Sequence, residues 1–211
     1  MASAEPSALV DQYVDGLARY DDLEAGIDEL RLQAYAQWRE QAEAGVAALS
    51  GGFSRAIVIE GSLPLLSQWD SHASKDPLQD KNFGHRWADL SQLLQLLRAA
   101  DAPGGDSLGD RTTLLVVSEM GRTPVKNGSG GKDHWPFTSA MLVGAAVSGG
   151  RVVGLTDDTL AGGMVDPTSG AASSTGALVT PASLAAGLLQ RFGVDPAAHY
   201  PGVTPFSAPF A

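Results

Sequence analysis

The chain has 211 residues, 44% of them hydrophobic, and its 14 Lys+Arg against 24 Asp+Glu give a formal charge of −10. At roughly 150 residues per domain this is one domain or one and a half, too apolar for a disordered chain and too acidic for general nucleic-acid or anionic-membrane binding. The absence of cysteine excludes a disulfide scaffold, a thiolate metal site and a cysteine nucleophile, which leaves the chemistry to oxygen and imidazole groups.

The start, Met1-Ala-Ser-Ala-Glu-Pro6, has no basic region followed by an apolar one. No apolar run reaches the roughly 18 residues of a membrane helix. As it stands the chain is expected in the cytoplasm, with neither membrane nor nucleic acid as a partner. Leu9, Val10, Tyr13, Val14 and Leu17, then Ile27, Leu30, Ala34, Trp38 and Ala42, recur at helical spacing and predict helices over 7–19 and 22–49. Gly51-Gly52 closes this helical region, 1–52. An α/β body, 53–211, follows.

Ala56-Ile-Val-Ile-Glu60 is a short apolar run and predicts a buried strand. A loop with Pro64 and Gln68-Trp-Asp-Ser-His72 comes next. Trp87, Leu90, Leu94 and Leu97 predict a helix that ends before Pro103. Thr113 to Val117 reads as the best strand, running into Ser118-Glu-Met-Gly121 and a Gly-rich polar stretch over 121–134. Ser139 to Val147 predicts a further strand, with Arg151-Val-Val153 as its hairpin partner across Gly149-Gly150. Residues 157–177 read as loop. Thr180 with Pro181 opens a helix that Gly193 stops, and the Pro-rich tail has no periodicity. Helices between apolar strands predict an α/β fold with a layered, mostly parallel sheet.

Ligands in such sheets bind beyond the carboxyl ends of the strands, where three polar clusters fall: Asp70 with His72, Glu119 with Arg122, and Asp133 with His134. Three carboxylates and two imidazoles suit one or two divalent cations. Each cluster also has a plainer reading. Asp70 can close an Asx-turn beside a solvated His72; Glu119 can satisfy loop amides; Arg122 can clamp an anion or pair with a loop carboxylate; Trp135 fits a turn with a buried aromatic. His85, near a helix start, and His199, in the tail, rank lower. Asn127-Gly-Ser-Gly-Gly131 lacks the spacing of a phosphate loop and reads as a flexible stretch.

Trp69-Asp-Ser-His72, Ser118-Glu-Met-Gly-Arg-Thr-Pro124 and Gly131-Lys-Asp-His-Trp135 resemble, in order, the motifs of a bacterial family catalogued as domain of unknown function 1501. The likeness runs from about residue 25 to the end. It includes Gly149-Gly-Arg-Val-Val-Gly154 and the helix from Thr180 to Phe192-Gly-Val-Asp-Pro196. This family looks like a branch of the alkaline phosphatase and sulfatase superfamily, whose members hydrolyse phosphate or sulfate esters at paired metal ions.

The resemblance implies Asp70, His72, Glu119 and His134 as metal ligands, with Asp133 beside them and Arg122 as the partner of developing negative charge. The cation would be zinc, manganese, magnesium or calcium, and the substrate a small anionic ester. Met120 stands where the wider superfamily has a histidine. Members are about twice this length, so the chain resembles the C-terminal half of such a protein, without the nucleophile-bearing half. The function classes that follow are a metal-dependent hydrolase-like domain, a non-catalytic metal-binding module, or a split subunit that needs an N-terminal partner chain. Full-length relatives commonly carry twin-arginine export signals, which would place a longer form outside the cytoplasm.

Overall fold

A computed structural model describes residue 14 and residues 38–61, 69–73 and 76–210. Of the expected helix over 7–19 only Val14, which is helical, is described; the front of the expected 22–49 helix lies outside the described residues. Two compact units form: one from the residues up to Trp69 with Pro77–Arg111, the other from Asp70–Asp76 with Thr112 onward.

In the first unit, helix α1 spans Trp38–Ser50 and buries Ala42, Gly45 and Val46, which lie three and four apart on one face. It ends where the sequence places the stop, with Gly52 at φ +74. Helix α2 spans Asp76–Ala99 and buries Leu93 and Leu97. It begins well before Trp87, because Pro77 falls in the first turn, where a missing N–H costs nothing. The Ala56–Glu60 run is not a buried strand. It joins no ladder, and Val58 is 97% exposed. Ile59 is partly buried, and the Ile57 side chain lies against Gly45 of α1. Apolar strand residues make a strand only beside a partner edge, and the described residues of this unit offer none.

In the second unit, β1 (Thr113–Val116) pairs antiparallel with β4 (Met141–Gly144), and β2 (Gly121–Arg122) pairs antiparallel with β3 (His134–Trp135). The fold is thus mixed helix and strand. Among the described residues both sheets are two-stranded and antiparallel. Arg151–Val153 is not the hairpin partner of β4, whose partner is β1. The chain leaves β4 through a turn in which Ala145 N–H donates to Thr112 O at 2.9 Å and Ala146 sits at φ 65.

The core of this unit gathers Val165, Phe206 and Ala208, with Val153 and Leu184 against them. Two of these come from the aperiodic tail, which is sewn down by its backbone. Phe206 N–H donates to Ser183 O at 2.8 Å, and Pro167 O accepts from Ser207 and Ala208 at 2.9 and 3.0 Å. Helix α3 (Pro181–Arg191) starts as the sequence predicts: Thr180 Oγ1 accepts from Ser183 N–H at 3.0 Å, and Ser183 Oγ accepts from Thr180 N–H at 2.8 Å. The expected loop over 157–177 is held by two aspartates. Asp157 Oδ1 accepts from Thr159 N–H, the Thr159 hydroxyl and Ala161 N–H, and Asp166 Oδ1 accepts from Thr168 N–H, Ser169 N–H and the Ser169 hydroxyl.

Thr180→Ala is expected to cost about 1 kcal/mol in denaturant unfolding, since it removes half of a reciprocal cap; an unchanged midpoint would contradict the cap. The Thr159 hydroxyl, then the Ala161 and Thr159 amides, lower the Asp157 pKa. A carboxyl depressed on folding stabilises above its unfolded pKa, and that contribution is lost as pH falls through the folded value. The Thr159 and Ala161 amide resonances should therefore titrate together below the usual aspartate range. Thr159→Val should move that midpoint upward, and an unmoved midpoint would refute the assignment.

Candidate functional site

Asp70, Ser71 and His72 form a tight turn in which Asp70 Oδ1 accepts the His72 backbone N–H at 3.0 Å. The same oxygen makes a close contact with His72 Nδ1. This is the Asx-turn geometry that aspartate favours, and it aims carboxylate and imidazole at each other. Both side chains are about half exposed, at 48% and 46%. Ser71 between them is buried.

The turn docks on the β2–β3 hairpin. Lys132 N–H donates to Ser71 O at 2.7 Å, and Ala73 forms a bridge with Gly130. Gly131 makes this approach feasible, because a Cβ there would overlap the carbonyl oxygens of Ser71 and His72. Within the hairpin, Thr123 N–H donates to Asp133 O at 3.0 Å while Thr123 Oγ1 accepts from Asp133 N–H at 3.1 Å. Arg122 and His134 stand opposite each other in the β2–β3 register.

Docking brings together residues that are far apart in sequence. The His72 and His134 rings lie 4.7 Å apart, tilted by 49°. Arg122 Nη1 is 3.4 Å from both ring nitrogens of His72, the position of a cation lying across the ring rather than of a bond to one nitrogen. The same Nη1 donates to Lys132 O at 3.2 Å, and Nη2 lies 3.9 Å from Asp70 Oδ1. The expected pairing of Arg122 with a loop carboxylate is thus present beside an outward-facing imidazole pair.

The profile of the family described as "Protein of unknown function (DUF1501)" matches residues 41–204. The chain belongs to this family. Comparison with curated proteins and with solved structures returns no match.

In this DUF1501 chain, Asp70, His72, Arg122 and His134 meet, while Asp133 joins them through Asn127, whose Nδ2 donates to Asp133 Oδ1 at 2.7 Å. Glu119 occupies an exposed bend between β1 and β2. Among the described residues no hydrogen bond or ion pair ties its carboxylate to the cluster, and no group of three or more Asp, Glu or His is already gathered as a metal-ligand set. His85 lies exposed within α2 rather than at its start, and His199 is exposed after a short 3₁₀ turn. Trp135 is half-buried and donates its indole N–H to Leu160 O at 3.0 Å. Sequence reasoning missed Asn127 and its turn. Asn before Gly-Ser-Gly is an Asx-turn signal as much as a flexibility signal, and here the turn is ordered.

Gly131→Ala is expected to destabilise the second unit by about 1–3 kcal/mol, the usual cost of forcing a methyl group into a packed contact. Loss of protection at the Lys132 amide in hydrogen exchange should accompany it. Wild-type protection in the variant would show that the docking tolerates a side chain.

Proposed function

We propose that the Asp70, His72, His134 and Arg122 cluster is the divalent-cation and anion site of a hydrolase-like domain of the phosphate- or sulfate-ester class. The observation that carries this reading is the convergence of a carboxylate, two imidazoles and a guanidinium on one open face from segments 50 or more residues apart. The mixed oxygen and nitrogen donor set suits a borderline cation such as zinc or manganese. Asp133 and Glu119 are the remaining candidate ligands. The motif likeness to the alkaline phosphatase and sulfatase superfamily supplies the ester class and, with it, the proposal of a layered parallel sheet.

Asp70, His72 and His134 would hold the cation, with Asp133 and Glu119 as further candidates. A divalent cation held there would supply Lewis-acid polarisation of an ester oxygen. Arg122 presents a planar fork of donors to the anionic oxygens of the ester. Asp70, through Nδ1, fixes the His72 ring and its second nitrogen.

A second reading rests on a separate observation. Among the described residues no Ser or Thr hydroxyl is hydrogen-bonded to either imidazole, so a nucleophile paired with a base is not in view. That favours a metal-binding module without turnover, or a subunit completed by a partner chain.

Elemental analysis of the purified protein should find a stoichiometric divalent metal that is lost in Asp70→Ala and in His134→Ala. Hydrolysis of p-nitrophenyl phosphate or sulfate that a chelator abolishes would support the hydrolase. Metal-dependent melting without hydrolysis would support the binding module, with stabilisation of about 2.7 kcal/mol at a hundred times the dissociation constant. Retention of wild-type metal content in both variants would refute the site.

A further inference from the structure

The side chain of Asn127 makes four hydrogen bonds, and they divide into two jobs. Its Oδ1 accepts from Ser129 N–H and Gly131 N–H, both at 3.0 Å, which closes the turn between β2 and β3. Its Nδ2 donates to His72 O at 3.0 Å and to Asp133 Oδ1 at 2.7 Å, which ties the turn to two other parts of the cluster. Only an amide side chain offers acceptor and paired donors on opposite sides of one short stem. The backbone ties of the docked segment act at Ser71 and Ala73, and Arg122 and His134 meet the His72 ring. The Asn127 tie acts on the His72 carbonyl, the backbone that carries the ring.

From this we infer that Asn127 is the positioning residue of the site: its Nδ2 holds His72 against His134 and fixes the carboxylate of Asp133 through one oxygen. The inference deepens the proposed cation site, and its metal arm rests on that reading; the placement of His72 does not. The bond to Asp133 Oδ1 restricts where that carboxylate can point, the bond to the His72 carbonyl places the backbone that carries the imidazole, and loss of such outer contacts weakens metal binding without removing a ligand.

Asn127→Asp separates the two jobs. Aspartate keeps the acceptor that closes the turn and loses both donor bonds, setting a carboxylate against the carboxylate of Asp133 and the carbonyl of His72. Asn127→Ser, which also supports a turn, carries no added charge. Proton NMR of the chelator-treated full chain reads the first consequence, through cross-peaks between the His72 and His134 rings. Both variants should lose these cross-peaks while the amides of α3 and of β1 and β4 keep their wild-type positions. Titration with Co²⁺, followed by its visible absorption, reads the second: binding should weaken about tenfold to a hundredfold, with an altered band shape.

Intact ring cross-peaks in both variants would overturn the inference, whatever the metal does. Global unfolding of both would overturn it too, because Asn127 would then support the fold rather than place the site. A wild-type chain that binds no Co²⁺ would remove the cation reading and leave the ring cross-peaks to decide the role of Asn127.

Discussion

The hydrogen bond from Lys132 N–H to Ser71 O, 2.7 Å long, runs between segments some sixty residues apart and needs bare backbone at Gly131 to form. The whole cluster depends on it. Without this docking, Asp70 and His72 would be an isolated Asx-turn, and Arg122 and His134 a facing pair on a two-residue ladder. Charge does not hold the cluster together. An ion pair as exposed and as long as Arg122 with Asp70, at 3.9 Å, contributes about 0–1 kcal/mol. Backbone bonds across a close approach contribute about 0.5–1.5 kcal/mol each, and here they come as a set with the Asn127 side chain.

A cluster held by backbone keeps its carboxylate and imidazole groups at the surface. Asp70 and His72 remain about half exposed, so solvent and small anions reach them. Arg122, at 25%, is the more enclosed member, and its place across the His72 ring puts a fixed positive charge beside the two imidazoles. On a chain of formal charge −10, such a fixed cation marks where an anionic group can approach without general repulsion. The acidic balance, which argues against polyanion binding, is compatible with a local site for a small anion.

Much of the site was legible in the sequence because its parts are short motifs with local geometry. Asp70-Ser-His72 closes its own turn, whereas the β2–β3 hairpin that carries Arg122 and His134 lies in a stretch whose composition reads as Gly-rich and polar. The helix at Thr180-Pro181 was legible for the same reason: a cap is a local event. What failed depended on partners. The apolar run Ala56–Glu60 has the composition of a strand, but composition does not supply an edge to pair with, and Val58 ends up in solvent. The antiparallel pairing of β1 with β4 is likewise a choice among distant edges. Phe206 and Ala208, in a stretch without periodicity, are buried because backbone amides of the tail donate to the Ser183 and Pro167 carbonyls and pin it over Val165. Asn127 was read as part of a flexible run because glycine content alone does not show which of its neighbours will use the turn.

The most direct test of the central claim, that these segments form one cation site, is crystallographic: an anomalous difference map from full-chain crystals grown with Zn²⁺ or Mn²⁺. A strong peak in contact with Asp70, His72 and His134 is expected. Full occupancy elsewhere on the chain, with none between these three side chains, would contradict it.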